Sequence, residues 1–247
     1  MYSYDSRVRY SECAADGRLS VLGLVNLMQD CSTFQCEHVG LGLDDMRRNH
    51  YAWFLSAWQI QIDDLPSFGE EITTSTWSHG TKRLLAYRDF TLGRRGEPPC
   101  VLADSLWFVF DTELGRPVKV PERQMVYVED TPRVDLPPTS RKIAVSGDFT
   151  QAAPITVTRQ HLDTNRHVNN AQYIQMALDA LDELGLALIP WRITVQYEAM
   201  ALLGDVLVPQ VFVGEHARTV RLAKPDSPDG EFYATVRIEE CTEAQAE

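Results

Sequence analysis

The stretch TVTRQHLDTNRHVNNAQYIQMALDAL, Thr156 to Leu181, decides how the chain is read. It passes from an alternating segment (Ile155, Val157) through a polar turn into a run of helical period. Ile174, Ala177, Leu178, Leu181 and Leu184 share one face there, broadened by Met176 and Ala180. The same order occurs in RVRYSECAADGRLSVLGLVNLMQDC, Arg7 to Cys31, with alternation at Val8 and Tyr10, a turn at Asp16-Gly17, and then a helix. A shift of 149 positions pairs Val8 with Val157, Asp16 with Asn165 and Leu19 with Val168. Similarity at half-chain spacing points to two copies of one domain and not to a short-period solenoid.

The segments after the two helices repeat as well. WQIQIDDLPSFGEEITTSTW answers to WRITVQYEAMALLGDVLVPQVFV, and a shift of 135 pairs Ile62 with Tyr197, Gly69 with Gly204 and Glu70 with Asp205. Alternating segments then read as strands: EEITTSTWSH, LLAYRDFTL and SLWFVFDT in the first half, VLVPQVFVGE, HARTVRLAK and FYATVRIEE in the second. The first helix is apolar around most of its circumference, through Val21, Leu22, Leu24, Val25, Leu27 and Met28, as a helix buried within its own domain must be. The expected class is α+β, a long antiparallel sheet curled round one central helix, present twice. The expected domains are residues 1–128 and 149–247. Pro132, Pro137 and Pro138 mark the linker at 129–148, since proline interrupts both helix and central strand.

A net charge of -12 argues against a general nucleic-acid binder, because phosphate contacts need excess Lys and Arg. No apolar run is long enough to span a bilayer, and MYSYDSRVRYSEC carries charges where a signal core would be apolar, so a cytoplasmic location is expected. Cys13, Cys31, Cys36, Cys100 and Cys241 show no CxxC pair and no zinc spacing with histidine, which suits reduced thiols. Cys36 and His38 lie two apart on a helix, do not face each other, and read as structural. With no nucleotide-binding glycine pattern, redox motif or metal spacing, no cofactor and no metal are expected.

Asp163, Asn165 and His167 stand at every second position just before the second helix. If the chain is extended there, the three side chains share a side. A helix starting near Val168 to Asn170 would aim its first N–H groups at the same spot, where they stabilise charge developing on a carbonyl oxygen. Carboxylate, amide and imidazole beside such an anion site suit acyl transfer or hydrolysis. The structural alternative is an ordinary N-cap with a neighbouring histidine. At the 149-residue shift the first copy has Ala14, Asp16 and Arg18 at these positions, so the turn does not itself require the set.

LDTNRHVNNAQYI resembles the hallmark of acyl-ACP thioesterases, the plant fatty-acid thioesterases and their bacterial relatives, whose fold is a tandem of two hotdog domains. WFLSAWQIQIDDLPSFGEEI resembles the family's Trp-rich strand with its Gly-acid turn, and the likeness extends over about residues 4 to 240. The resemblance implies that Asp163, Asn165 and His167 are catalytic in the second hotdog, that the substrate is a fatty acyl thioester on acyl carrier protein, and that the setting is fatty acid biosynthesis. One departure stands out. The family carries a Glu, followed in plant members by Cys, shortly before the Gly-Asp turn, and the matching positions here hold Met200 and Ala201. Glu198 lies two residues earlier, and the role is not transferred to it.

An acidic carrier would need a local basic patch on this acidic chain, with Lys82, Arg83, Arg94, Arg95, Arg141 and Lys142 as candidates. An acyl tunnel along the first helix would have its depth set by Leu24, Met28 and Phe34. His161 reads as structural, and Trp53, Trp58, Trp77 and Trp107 as core. Three alternatives remain open at this level: an acyl-CoA thioesterase, a hotdog 3-hydroxyacyl-thioester dehydratase, and a non-catalytic acyl-binding protein. Fused hotdogs already make the internal pairing that single ones obtain by dimerising, and a homodimer beyond that stays open.

Overall fold

The structure, a computed structural model, describes residues 1–227 and 230–241 and divides into two compact units that meet in sequence between Thr139 and Ser140. In the first, β1 (Tyr2–Arg7) leads through a 3-10 turn at Tyr10–Glu12 to α1 (Val21–His38) and a short α2 (Leu43–Arg48). Then come β2 (Tyr51–Ile62), β3 (Glu71–Lys82), β4 (Leu85–Arg94), β5 (Val101–Asp111) and β6 (Arg116–Val118). The antiparallel order is β1-β3-β4-β5-β2, with β6 beside the end of β5. α1 lies on β3 and β4 and buries Leu24, Val25, Leu27, Met28 and Cys31 completely or nearly so. Each large apolar side chain removed from water in this way contributes about 1.5–3 kcal/mol. Gly23 is required by close packing, because a Cβ there would stand 2.8 Å from the Glu12 carbonyl oxygen.

The second unit holds β7 (Thr150–Gln151), β8 (Ile155–Thr156), α3 (Asn170–Glu183), β9 (Arg192–Tyr197), β10 (Val206–Val213), β11 (Ala217–Ala223) and β12 (Phe232–Glu239). Its order is β9-β12-β11-β10-β7, with β8 also against β10. Ala171, Ile174, Ala177, Ala180 and Leu181 form the buried face of α3, which packs on β10, β11 and β12. Each unit is a hotdog, a sheet curled round one long helix. The strands read from alternation all form; α2 was not anticipated, and β1 covers Tyr2–Arg7 where alternation had been read at Val8 and Tyr10. Val8 is buried beyond the end of β1, and Tyr10 lies in the 3-10 turn with its ring exposed.

Several backbone hydrogen bonds around the turn recur in both units. The bridge Cys13–Leu19 closes the turn before α1, and Leu162–Val168 closes the one before α3. The Gly17 position, at φ +81°, is taken by Arg166 at φ +64°. Leu19 N–H donates to the Pro66 carbonyl at 2.8 Å, and Val168 N–H to that of Ala201 at 3.0 Å. Gly69 N–H reaches Val8 O at 3.0 Å just as Gly204 N–H reaches Val157 O at 3.0 Å. The sequence shifts of 149 and 135 thus correspond to equivalent backbone contacts.

The segment expected as a linker departs from that reading over its first part. Residues 129–139 pack on the first unit's sheet: Glu129 N–H donates to Ser78 O at 2.9 Å, and Val134 and Leu136 bury against Trp77. Arg133 pairs with Asp104 at 2.7 Å, and Val134 N–H donates to Asp89 Oδ2 at 2.9 Å. Prolines exclude regular structure here, yet buried carboxylates on the sheet supply the strap with acceptors.

Candidate active site

Residues 162–168 form a closed turn, not an extended strand, so the expectation that Asp163, Asn165 and His167 share a side by alternation does not hold. Asp163 N–H donates to His167 O at 2.8 Å and Arg166 N–H to Asp163 O at 3.1 Å, with Arg166 left-handed. What joins the three residues is the Asp163 side chain. Its Oδ1 accepts the backbone N–H of Asn165 at 2.8 Å and that of His167 at 3.2 Å. Asp163 and His167 are half-buried, and Asn165 is exposed at the apex.

Four amides around the start of α3 are already committed. Val168 N–H goes to Ala201 O, Asn169 N–H to His161 O at 2.9 Å, and Gln172 N–H to Asn169 O at 2.9 Å. Asn169 caps α3, its Oδ1 accepting Ala171 N–H at 2.9 Å. The N–H groups of Val168 and Asn169, expected to face an oxyanion, are thus bound to backbone carbonyls, while the Asn169 cap and carbonyl take those of Ala171 and Gln172. His161 is part of the scaffold, its Nδ1 accepting Thr158 N–H at 3.0 Å.

After β9 the chain leaves the sheet at Glu198 and crosses the foot of the turn. Ala201 is fully buried and doubly held, taking Val168 N–H on its carbonyl and donating its own N–H to the Tyr173 hydroxyl at 2.9 Å. Position 200, where the family's acid would stand, is thereby fixed beside the residue that follows His167. Met200 there is half-exposed, and Glu198 is exposed and accepts a hydrogen bond from Gln196 at 3.0 Å. Tyr197 donates from its hydroxyl to Asn170 O at 3.1 Å, and the Tyr173 and Tyr197 rings meet edge to face at 5.7 Å. Burial pushes the Tyr173 hydroxyl up to about 12 and raises that of Tyr197 well above its ordinary value. Sequence reasoning missed both tyrosines, because a tyrosine in an apolar stripe reads as core.

In the first unit Arg18 stands where His167 does. It binds Leu65 O through Nε at 3.0 Å and pairs with Asp64. At the 135-residue shift, Asp64 and Leu65 correspond to Ala199 and Met200. The same corner is thus a structural ion pair in one unit, while in the other an imidazole occupies the arginine position and an alanine the aspartate position.

The candidate basic patch is reduced. Arg94 pairs with Asp64 at 2.9 Å and Glu70 at 3.0 Å, and Arg95 with Asp5 at 3.2 Å and Glu71 at 3.6 Å. Lys82 and Arg83 are exposed at the β3–β4 turn, and Arg141 and Lys142 are exposed after Ser140. Of the proposed tunnel residues, Leu24 and Met28 are buried, whereas Phe34 is half-exposed on the edge of α1 against Tyr4, with ring centroids 5.3 Å apart. Trp58 and Trp77 are buried.

Residues 1–126 match the acyl-ACP thioesterase N-terminal domain and residues 147–239 the acyl-ACP thioesterase C-terminal domain. The chain is 25% identical over 187 residues to an acyl-[acyl-carrier-protein] hydrolase of Cuphea viscosissima, covering 70% of this chain and 45% of that protein. It is 27% identical over 194 residues to oleoyl-acyl carrier protein thioesterase 1 of Arabidopsis thaliana, covering 71% and 53%. It therefore spans about half the length of these chloroplastic relatives. An acyl-ACP thioesterase from Bacteroides thetaiotaomicron superposes with a TM-score of 0.83 at 25% identity over 96% of both chains. The 12:0-ACP thioesterase of Umbellularia californica, at 18% identity over 96% of both chains and a TM-score of 0.79, shares the fold. Two hotdog units, the Asp-x-Asn-x-His turn and both domain matches agree: the chain belongs to the acyl-ACP thioesterase family.

Proposed function

We propose that the protein hydrolyses the thioester of a fatty acyl group carried on acyl carrier protein, giving free fatty acid and holo-carrier, with Asp163, Asn165 and His167 as the catalytic set. The observation that carries this reading is the asymmetry between matching turns. The same backbone arrangement bears Ala14, Asp16 and Arg18 in the first unit and Asp163, Asn165 and His167 in the second. The family match supplies the substrate class.

In the reaction, water adds to the thioester carbon, the C–S bond breaks, and the proton from water ends on the departing sulfur. His167, an imidazole at the turn, is the group that takes and returns that proton. Asp163 Oδ1 is held by two amide donors, which suits a fixed acceptor that sets the turn better than a group that must bond to carbon, so a water route is favoured. Asn165, exposed at the apex, orients the carbonyl or the water. Met200 at the family's acid position means that no carboxylate from that position takes part.

Lys82 and Arg83 are the docking candidates on the first unit, since Arg94 and Arg95 are neutralised by carboxylates. A cytoplasmic setting suits five cysteines that form no disulfide. Among the described residues no helix is long and apolar enough to cross a membrane.

Thiol release from a panel of acyl-ACPs, run beside the matching acyl-CoAs, tests the reading. Turnover should favour the carrier-bound substrates, and His167→Ala should lower kcat by about 10²–10⁴-fold. Reversal to Lys82→Glu with Arg83→Glu should raise KM for acyl-ACP and leave acyl-CoA unaffected. Preference for CoA, double-bond formation without thiol release, or binding without turnover would each replace the proposal with one of the three alternatives.

A further inference from the structure

Three strands of the first unit bring together side chains that the sequence keeps ten and fifteen positions apart: His79 on β3, Asp89 on β4 and Asp104 on β5. Asp89 and Asp104 are directly opposite in the β4–β5 register, so both carboxylates leave the same face of the sheet. Like charges in that relation destabilise a sheet unless something neutralises them. Asp89 is 0% exposed and Asp104 is 2% exposed, so water does not do it.

The hydrogen bonds divide each carboxylate in two. Asp89 Oδ2 accepts Val134 N–H at 2.9 Å; Asp104 Oδ2 accepts Arg133 at 2.7 Å and Thr139 N–H at 3.0 Å. Both Oδ2 atoms therefore hold the strap 133–139. Both Oδ1 atoms and His79 Nε2 are buried and reached by no hydrogen bond. One donor atom from each of these three residues lies within 4.8 Å of the others, and His79 Nε2 is 3.5 Å from Asp89 Oδ1. Two buried carboxylates thus face one arginine, with an imidazole beside them. Buried charge is matched either by a paired side chain or by a bound metal ion. A cleft of about 370 Å³ lined by His79, Lys82, Asp104, Arg133 and Thr139 gives access from solvent.

We propose that His79 Nε2, Asp89 Oδ1 and Asp104 Oδ1 bind one divalent transition-metal ion of the Zn²⁺ or Mn²⁺ class, with water from the cleft completing its shell. One imidazole and two carboxylates select this class over Ca²⁺ and Mg²⁺, which take oxygen ligands throughout. Donors around an ion at ~2.1 Å are at most ~4.2 Å apart, so the three close on it with side-chain shifts of roughly 0.5 Å. The ion's place is structural. It neutralises the carboxylates that hold the strap, on the unit without the Asp-x-Asn-x-His turn, and the inference does not depend on the thioesterase reading.

Untagged protein, dialysed and analysed by elemental mass spectrometry, should carry close to one transition metal per chain. After chelation, calorimetric titration with ZnCl₂ and with MnCl₂ should show one saturable site, and metal should raise Tm. His79→Gln, at the margin of the cleft, should bind at least ~10-fold more weakly and lose the Tm response while keeping the wild-type circular dichroism spectrum. Asp89→Asn should weaken binding likewise. Metal-free native protein with no saturable binding overturns the proposal. So does binding that His79→Gln leaves intact, which would place the ion on exposed histidines such as His50 or His216.

Discussion

Asp163 Oδ1 and the backbone N–H of His167 are joined at 3.2 Å, and the same oxygen takes Asn165 N–H at 2.8 Å. The carboxylate proposed for catalysis is thus also the fastening of the turn that presents the other two residues. The roles separate by substitution. Asp163→Ala removes the acceptor and should cost about 1 kcal/mol in chemical unfolding as well as activity. Asp163→Asn keeps an oxygen in place and should unfold near the wild-type midpoint, yet lose kcat by about 10²-fold or more. A fully active Asp163→Asn would show that the carboxylate charge has no part in the reaction.

Tyr173 fixes the loop that crosses below this turn, through the buried N–H of Ala201 at 2.9 Å. Tyr173→Phe leaves that donor without its acceptor and should destabilise the protein by about 1–3 kcal/mol. With its hydroxyl pushed up to about 12 by burial, Tyr173 should contribute no phenolate absorbance until well above pH 10. Unchanged stability in the phenylalanine variant would mean that water replaces the hydroxyl.

The cluster of Arg94, Glu70 and Asp64 should shape acid stability. The hydrogen bond from Arg94 holds Glu70 below the usual carboxylate range. At Asp64 burial works upward, and hydrogen bonds from Arg94 and Arg18 outweigh it. Folded-state values below the unfolded ones make the unfolded chain bind more protons, so this stability is present above about pH 4.5 and lost as pH falls through the folded values. Partial exposure keeps the effect small. In Arg94→Met the fall of Tm between about pH 5 and 3 should be shallower than in wild type; parallel curves would remove the argument.

Burial raises the Cys31 thiol to about 12, and raises Cys36 too, so neither offers thiolate at neutral pH. Cys241 is exposed. Peptide mapping after brief labelling of the native protein at pH 8 should find Cys241 modified and Cys31 and Cys36 intact, with both reacting once the protein is denatured. Fast native labelling of Cys31 would indicate an opening of the α1–β3 packing.

Much of the fold was legible because it rests on short-range pattern. Alternation in EEITTSTWSH and the helical period around Ile174 depend only on neighbours along the chain, and the offsets 149 and 135 could be counted without coordinates. The family hallmark at Asp163, Asn165 and His167 was legible for the same reason. The turn that holds them was not, because Asp-x-Asn-x-His fits a strand or a turn equally well until Leu162 pairs with Val168.

Sequence alone determined the paired architecture, the position of each long helix and the residues of the candidate turn. Tertiary structure decided which partner each polar atom takes. It gave the helix-start amides to Ala201, His161 and Asn169, docked the proline-rich strap on Asp89 and Asp104, matched Arg94 to acids, and set Tyr173 beneath the turn. The reason is physical: periodicity is written between residues a few positions apart, whereas a hydrogen bond or a meeting of donors across strands depends on register, which only the assembled sheet defines.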